Sequence, residues 1–159
     1  MPVAIFVAAV MIYTAAAAQD LRQRRVSNLF CAGIALLGLA RWAVLMQISP
    51  AAWAVAAAVL LFGLGALMFS RGWLGGGDVK LICASALLIG GGQTPAFLFL
   101  MSIIGSVLAL IIVVQVKLGQ LFGTAGGAAP DAENPSTVPY GVAVALAASF
   151  VIFLQIQRA

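Results

Sequence analysis

Six long apolar segments leave this chain little room for any fold outside a membrane. A helix needs about 20 apolar residues to cross the roughly 30 Å of bilayer hydrocarbon. Each segment is close to that length, and the fourth is the shortest: 3–19, 29–46, 51–70, 79–94, 95–116 and 138–157. We therefore predict an all-α, polytopic membrane protein with about six transmembrane helices in a single domain, residues 1–159.

The composition excludes several classes of function. Charged residues make up only 8% of the chain, whereas a soluble domain has about 25%. The net charge of +4 rests on eight basic residues that form no stripe, so no nucleic-acid partner is expected. There is no histidine, which excludes Ser-His nucleophiles and HExxH zinc sites. We expect no metal and no cofactor, and we interpret Cys31 and Cys83 as small, reduced, buried side chains.

Basic residues predict the orientation in the membrane. Three of them follow the first segment: Arg22, Arg24 and Arg25. Basic residues beside spans favour the cytoplasmic side, so we predict an N-terminus outside and cytoplasmic ends for spans one, three and five. Only Arg41 and Arg158 then lie at outer ends. We interpret Arg41 as an anchor that extends toward the outer surface beside Trp42.

The four acidic residues fall into two pairs. Asp131 and Glu133 lie in the longest polar stretch, 117–137, which we predict to be a flexible cytoplasmic linker. Asp20 ends the first span and Asp78 begins the fourth, so the alternating topology brings both to the cytoplasmic boundary of the bilayer. Ionisable residues in spans are costly and commonly functional. This pair is therefore the candidate for acid–base chemistry.

Two carboxylates that face one water molecule can act as general base and general acid while sharing one proton. Helix dipoles alone would make Asp78 the base and Asp20 the acid, but the neighbouring arginines act in the opposite sense, so the assignment stays open. Gly75, Gly76 and Gly77 would leave room for a substrate backbone. Simpler interpretations remain: a solvated helix end at Asp20, an N-cap at Asp78 and a flexible glycine loop.

Three motifs carry a resemblance to a known family. One matches the GxGD signature of intramembrane aspartic proteases and continues as in prepilin peptidases: Gly75-Gly76-Gly77-Asp78-Val79-Lys80-Leu81. Another resembles that family's first-aspartate motif, with Ser27 where proline is usual: Asp20-Leu-Arg-Gln-Arg-Arg-Val-Ser-Asn28. The third resembles a family feature at the start of the last span: Pro139-Tyr140-Gly141.

The resemblance implies an aspartic endopeptidase at the cytoplasmic face of the bacterial inner membrane. Its substrates would be type IV or Flp-type prepilins or pseudopilins, cut just after a short basic leader, and membrane lipid would surround it. The catalytic residues would be Asp20 and Asp78. Supporting residues would be Gly75, Gly76, Gly77, Asn28, Lys80, Pro139, Tyr140 and Gly141. Longer family members carry an N-terminal domain with cysteine pairs that is linked to N-methylation, so this chain resembles the short, peptidase-only class without methyltransferase activity.

The same residues are compatible with three other classes of function. Intramembrane aspartates also serve proton relays, which would suit a small ion-coupled transporter, although both aspartates lie at a boundary rather than at the midplane. A structural subunit of a secretion or pilus assembly complex would use the glycines and alanines only for close helix packing. A Ser-Lys dyad would need a serine near Lys80 or Lys117, and no serine has a recognisable relation to either.

Overall fold

The structure, a computed structural model, describes residues 2–23, 26–121 and 140–157. Within these ranges the regular secondary structure consists of six α-helices, so the all-α prediction is confirmed. In chain order they are α1 Val3–Gln23, α2 Asn28–Leu45, α3 Ile48–Ser70, α4 Gly76–Ile89, α5 Thr94–Leu121 and α6 Tyr140–Gln157.

Five of the helices in the described part of the chain are long and apolar enough to cross a membrane: α1, α2, α3, α5 and α6. Their outer surfaces carry large apolar side chains that water would not solvate well. Examples on α3 and α5 are Val59, Leu60, Phe99 and Leu110, each more than 60% exposed. Hydrocarbon is the medium that such a surface requires, so the chain is a multi-pass membrane protein.

Several helix boundaries differ by a few residues from those expected, and the differences in α4 and α5 bear on the site. The fourth apolar segment, 79–94, forms a helix that begins three residues earlier and ends at Ile89. The fifth continues to Leu121, so the first residues of the predicted linker are helical rather than flexible. The rest of that linker, including Asp131 and Glu133, lies outside the described residues.

Helix α4 is the centre of the bundle. It packs against α2, α3 and α6, and eight of its 14 residues are buried. Small residues on its neighbours permit close approach. A Cβ atom at Gly38 of α2 would lie 3.1 Å from the backbone nitrogen of Leu88, and one at Gly65 of α3 would lie 2.6 Å from Val79 Cγ1. Glycine at these two positions therefore fixes how deeply α4 is enclosed.

Helix α4 is also too short to cross the bilayer. Fourteen residues extend about 21 Å at 1.5 Å per residue, against roughly 30 Å of hydrocarbon. Its last carbonyl groups therefore need donors from other helices, because unpaired backbone groups are costly in such surroundings. Side chains of α2 and α6 supply them: Arg41 Nη1 to Leu88 and Ile89, Trp42 Nε1 to Leu87 (2.8 Å), and Gln155 Nε2 to Ile89 (2.9 Å).

The interpretation of Arg41 as an anchor that extends outward is wrong. Only 9% of its surface is exposed, and its guanidinium group lies 4.7 Å from the centre of the Trp42 ring. The early end of α4 at Ile89 explains the difference, because it creates unpaired carbonyls within reach of this side chain. The chain then turns through Gly90, whose φ of +99° suits glycine.

Candidate active site

Asp20 lies in the last turn of α1 and is almost fully enclosed, with 4% of its surface exposed. Its carboxyl group faces the beginning of α6, where the backbone N–H groups of Gly141 and Val142 lie close to it. A Cβ atom at Gly141 would lie 2.7 Å from Asp20 Oδ2, so only glycine leaves room for the carboxyl group. Among the described residues Oδ2 has no hydrogen-bond partner. Buried polar atoms are usually paired, so this acceptor is available to a proton, a water or a substrate.

Asp20 lies between two helix termini with opposite partial charges. The C-terminus of its own helix, α1, disfavours an ionised carboxylate. In the structure the N-terminus of α6 also faces Asp20, and its partial positive charge favours an anion. Asp78 lies near the N-terminus of α4. Both carboxyl groups therefore face helix N-termini, and dipoles alone do not separate the base from the acid.

Asp78 is the third residue of α4 and is half-buried. The interpretation of Asp78 as an N-cap is wrong, because α4 starts earlier than expected and Gly75 holds that position. Oδ2 of Asp78 lies 2.9 Å from where a Cβ atom of Gly75 would be. Val26 lies beside both Gly77, which precedes Asp78, and Gly141, which contacts Asp20. The two carboxyl groups are thus neighbours at one end of the bundle, which we call the aspartate end (Asp20, Asp78, Gly141).

A buried hydrogen bond between α1 and α4 accounts for the common depth of the aspartates. The Tyr13 hydroxyl donates to Ser85 Oγ at 2.9 Å, and both side chains are fully buried. Asp20 follows Tyr13 by seven residues, and Asp78 precedes Ser85 by seven. Seven residues are two helical turns and about 10.5 Å of rise. Because α1 and α4 run in opposite directions, both aspartates lie the same distance from this contact, on the same side of it.

Removing the Tyr13 hydroxyl is expected to weaken this register. We predict that Tyr13→Phe lowers the free energy of unfolding by about 1 kcal/mol, the usual net value of one buried hydrogen bond. The leader cleavage that the motifs imply should slow several-fold, because the aspartates lose a fixed alignment. Thermal unfolding and a cleavage assay on the same preparation measure both effects.

Thr14→Val is the matched control for Tyr13→Phe. Thr14 neighbours Tyr13, but its hydroxyl is exposed and bonds only to Val10 of its own helix. This change should leave cleavage unaltered. Equal cleavage by Tyr13→Phe and wild type would show that the contact does not align the aspartates.

The connection between α1 and α2 forms a further wall of the site. A Cβ atom at Gly77 would lie 3.1 Å from the carbonyl oxygen of Val26, and one at Gly141 would lie 3.0 Å from Val26 Cγ2. Val26 therefore contacts both α4 and α6. The next residue, Ser27, donates its N–H to Gln19 Oε1 (3.0 Å) and caps α2 through its hydroxyl. Proline, usual here in the family that the motif resembles, lacks that N–H, so the turn at Ser27 is held differently.

The glycine run acts through close packing rather than through unusual backbone conformation. Gly75 has a φ of −72°, and Gly76 and Gly77 lie inside α4, so the run is not a flexible loop. A Cβ atom at Gly76 would lie 3.2 Å from the ring of Phe69. The glycines thus let the start of α4 approach the neighbouring chain segments.

The predicted supporting residues are only partly brought together. Lys80 Nζ donates to Asn28 Oδ1 at 3.0 Å, on the exposed surface beside the start of α4. Tyr140 instead packs its ring against α5, 3.3 Å from where a Cβ atom of Gly105 would lie. Gly141 contacts Asp20, as described above. Pro139 lies outside the described residues.

Of the two cysteines expected to be buried, only Cys31 is. Cys31 is buried and Cys83 half-buried, and both are free thiols. Cys31 Sγ donates a weak hydrogen bond to the Gly77 carbonyl at 3.7 Å, so it packs at the start of α4. Across the described ranges no three potential metal ligands lie together.

The protein is a helical membrane protein with two carboxyl groups at one end of its bundle. The type IV leader peptidase family model matches residues 5–110, more than half of the chain. The chain therefore belongs to the type IV leader peptidase family and is a leader peptidase of the prepilin type. The match includes Asp20 and Asp78 but not α6, which contributes Gly141. No curated protein and no solved structure matches the chain.

Proposed function

We propose that this chain is an aspartic endopeptidase in which Asp20 and Asp78 activate one water molecule. Its substrates are Flp-type or other type IV prepilins or pseudopilins, and it removes their short basic leaders. The observation that carries the proposal is the neighbouring pair of carboxyl groups, one of which has a buried oxygen without a partner. The GxGD and first-aspartate motifs, both within the family match, support it.

The reaction needs only the two carboxyl groups and water. The ionised carboxylate takes a proton from water, and the water oxygen attacks the carbonyl carbon of the scissile peptide bond. The protonated carboxyl group donates a hydrogen bond to the carbonyl oxygen as negative charge develops there. The carbon–nitrogen bond then breaks, and the leaving nitrogen takes a proton from the pair. One water is consumed, and the pair returns to its singly protonated state.

Basic residues support a cytoplasmic location for this site. Within the described ranges four basic residues lie toward the aspartate end: Arg22, Arg71, Lys80 and Lys117. Among the described basic residues, Arg41 alone lies toward the other end. Since basic residues beside spans favour the cytoplasm, we propose that the aspartate end faces the cytoplasm of a bacterial inner membrane, with the N-terminus outside. A prepilin leader remains on that side, so its cleavage point would reach the depth of the aspartates.

The proposed enzyme is of the peptidase-only kind. It cuts the leader and does not N-methylate the new pilin terminus. The distinction can be read in the product, because methylation adds 14 Da to the mature N-terminus.

A reconstituted cleavage assay tests the proposal. The full chain is placed in vesicles of bacterial lipid with a Flp-type prepilin, and products are followed by mass spectrometry across a pH series. We expect one cut after the leader, an unmethylated product and a bell-shaped pH dependence that reflects the shared proton of the pair.

Three results would contradict the proposed function. The first is an intact prepilin at every pH, with proton or ion flux through the same vesicles, which would support the transporter alternative. The second is cleavage that persists unchanged after Asp20 and Asp78 are both replaced by asparagine. A catalytically inert chain that only binds the prepilin would support the structural-subunit alternative.

A further inference from the structure

A cavity lies at the end of the bundle opposite the aspartates, around the turn between α4 and α5. We call this the turn end (Gly90–Gln93). The cavity has a volume of about 510 Å³, within the range of small-ligand sites. Its walls come from the end of α2, the start of α3, the turn and α6, and include Arg41, Trp53 and Gln155. Helix α4 separates it from the aspartates.

Polar groups without hydrogen-bond partners among the described residues line this cavity, and two of them are buried. Arg41 is nine-tenths buried, and although its Nη1 caps α4, its Nε has no partner among the described residues. Gln155 Oε1 is a buried acceptor that also lacks one there. The N–H groups of Gly91 and Gly92 make no hydrogen bond within the described part of the chain. Besides the side chains of Ser49 and Gln93, which can donate and accept, the cavity thus presents three unpaired N–H groups and one buried acceptor.

Within the described part of the chain, no carboxylate balances the charge of Arg41. The C-terminus of α4 places roughly half a negative charge near Arg41. The N-terminus of α5, at Thr94, places roughly half a positive charge nearby, so the two partial charges nearly cancel. No carboxylate lines the cavity. The described carboxylates, Asp20 and Asp78, lie at the aspartate end. About one positive charge is therefore left in a largely apolar enclosure, and such a charge requires an anion.

The surroundings favour a lipid as the source of that anion. Trp42 and Trp53 line the cavity, and tryptophan is enriched at the depth of lipid headgroups. The adjoining surface is apolar and open: Met46 is 87% exposed, Ile48 86% and Trp53 70%. Acyl chains could cover that surface while a headgroup enters the cavity.

We propose that the cavity at the turn end binds the headgroup of an anionic phospholipid that carries a hydroxyl group, such as a phosphoglycerol headgroup. The phosphodiester accepts hydrogen bonds from Arg41 and from the Gly91 and Gly92 amides, and a headgroup hydroxyl donates to Gln155 Oε1. The site does not depend on the peptidase activity proposed above.

Lipid-dependent stability tests this proposal. The purified full chain in a neutral detergent is titrated with dihexanoyl phosphatidylglycerol, dihexanoyl phosphatidylcholine or glycerol phosphate, and thermal unfolding is recorded. We expect phosphatidylglycerol to raise the Tm, with little effect from the other two. Gln93→Glu places a carboxylate at the cavity without removing any side-chain contact and should raise the apparent Kd at least about ten-fold. Arg41→Gln should have at least the same effect.

Arg71→Gln is the matched control, because Arg71 also lies over a tryptophan, Trp73, but is exposed and far from the cavity. It should leave the titration unchanged. If Arg41→Gln fails to fold, Gln93→Glu still decides, since Arg41 keeps its contacts in that variant. Equal stabilisation by both lipids, or an unchanged titration with Gln93→Glu, overturns the proposal. A full shift with glycerol phosphate alone overturns the lipid source and leaves a site for a free phosphate ester.

Discussion

Replacement of either Asp20 or Asp78 by asparagine is expected to abolish leader cleavage. Asparagine keeps the shape of the side chain but can neither carry the shared proton nor accept one from water. General acid–base catalysis contributes about 10²- to 10⁴-fold to rates, so each variant should lose at least about 10²-fold. Because the two groups act as one unit, the double variant should be no slower than either single one. Initial rates in vesicles measure this.

Asp131→Asn is the control for these two variants, since the sequence places that carboxyl group in the long polar stretch away from the spans. It should cleave at the wild-type rate. Binding of uncleaved prepilin should survive in Asp20→Asn and Asp78→Asn, which separates loss of chemistry from loss of fold. Near-normal cleavage by either single variant contradicts the two-carboxylate mechanism.

Gly141→Ala is expected to slow cleavage by one to two orders of magnitude. The new methyl group would lie 2.7 Å from Asp20 Oδ2 and 3.0 Å from Val26 Cγ2, so the carboxyl group must move. A displacement of about 1 Å in a catalytic geometry can cost about 10²-fold in rate. The loss should appear in kcat more than in KM, because the methyl group displaces a reacting group rather than the bound leader.

Gly63→Ala serves as the control for Gly141→Ala. Gly63 lies inside α3 with open space where its Cβ atom would be. Alanine there should leave cleavage intact and add about 0.5–1 kcal/mol of stability, as alanine does in a helix interior. If Gly141→Ala cleaves as fast as Gly63→Ala, the contact between α6 and Asp20 has no part in catalysis.

The sequence predicts those parts of the fold that depend on local composition. The apolar runs predict the existence of all six described helices, and five of these have the length that the bilayer imposes on a span. The alternation of directions then places Asp20 and Asp78 at the same end without any knowledge of packing. That the two aspartates also lie next to each other is predicted only by the resemblance of the motifs to those of the family.

Features that depend on contacts between distant segments could not be predicted in this way. The three glycines after Ile89 mark the end of α4 locally, but the donors that pair its last carbonyl groups cannot be identified from the sequence. That end is set by Gly90 and by donors such as Arg41 and Trp42 on another helix. The contact of α6 with Asp20 likewise depends on tertiary packing, because Gly141 is 121 positions away in the chain.

The sequence does contain one signal for the contact between Tyr13 and Ser85. Each is a polar residue in an apolar helix, two turns from an aspartate and displaced from it toward the same side of the bilayer. Equal spacing on antiparallel helices predicts that such residues meet if the aspartates do. A search for this symmetry around paired carboxylates would have found the hydrogen bond between them.

The most direct test of a shared catalytic pair is the binding of a transition-state mimic. A prepilin peptide whose scissile amide is replaced by a hydroxyethylene group places a hydroxyl between the two carboxyl groups, and such mimics bind at least about 10²-fold more tightly than substrates. We predict tight binding to the wild type, and binding no better than that of the plain peptide to Asp20→Asn and to Asp78→Asn. Undiminished tight binding to either variant would contradict the account, because one carboxyl group would then suffice to hold the mimic.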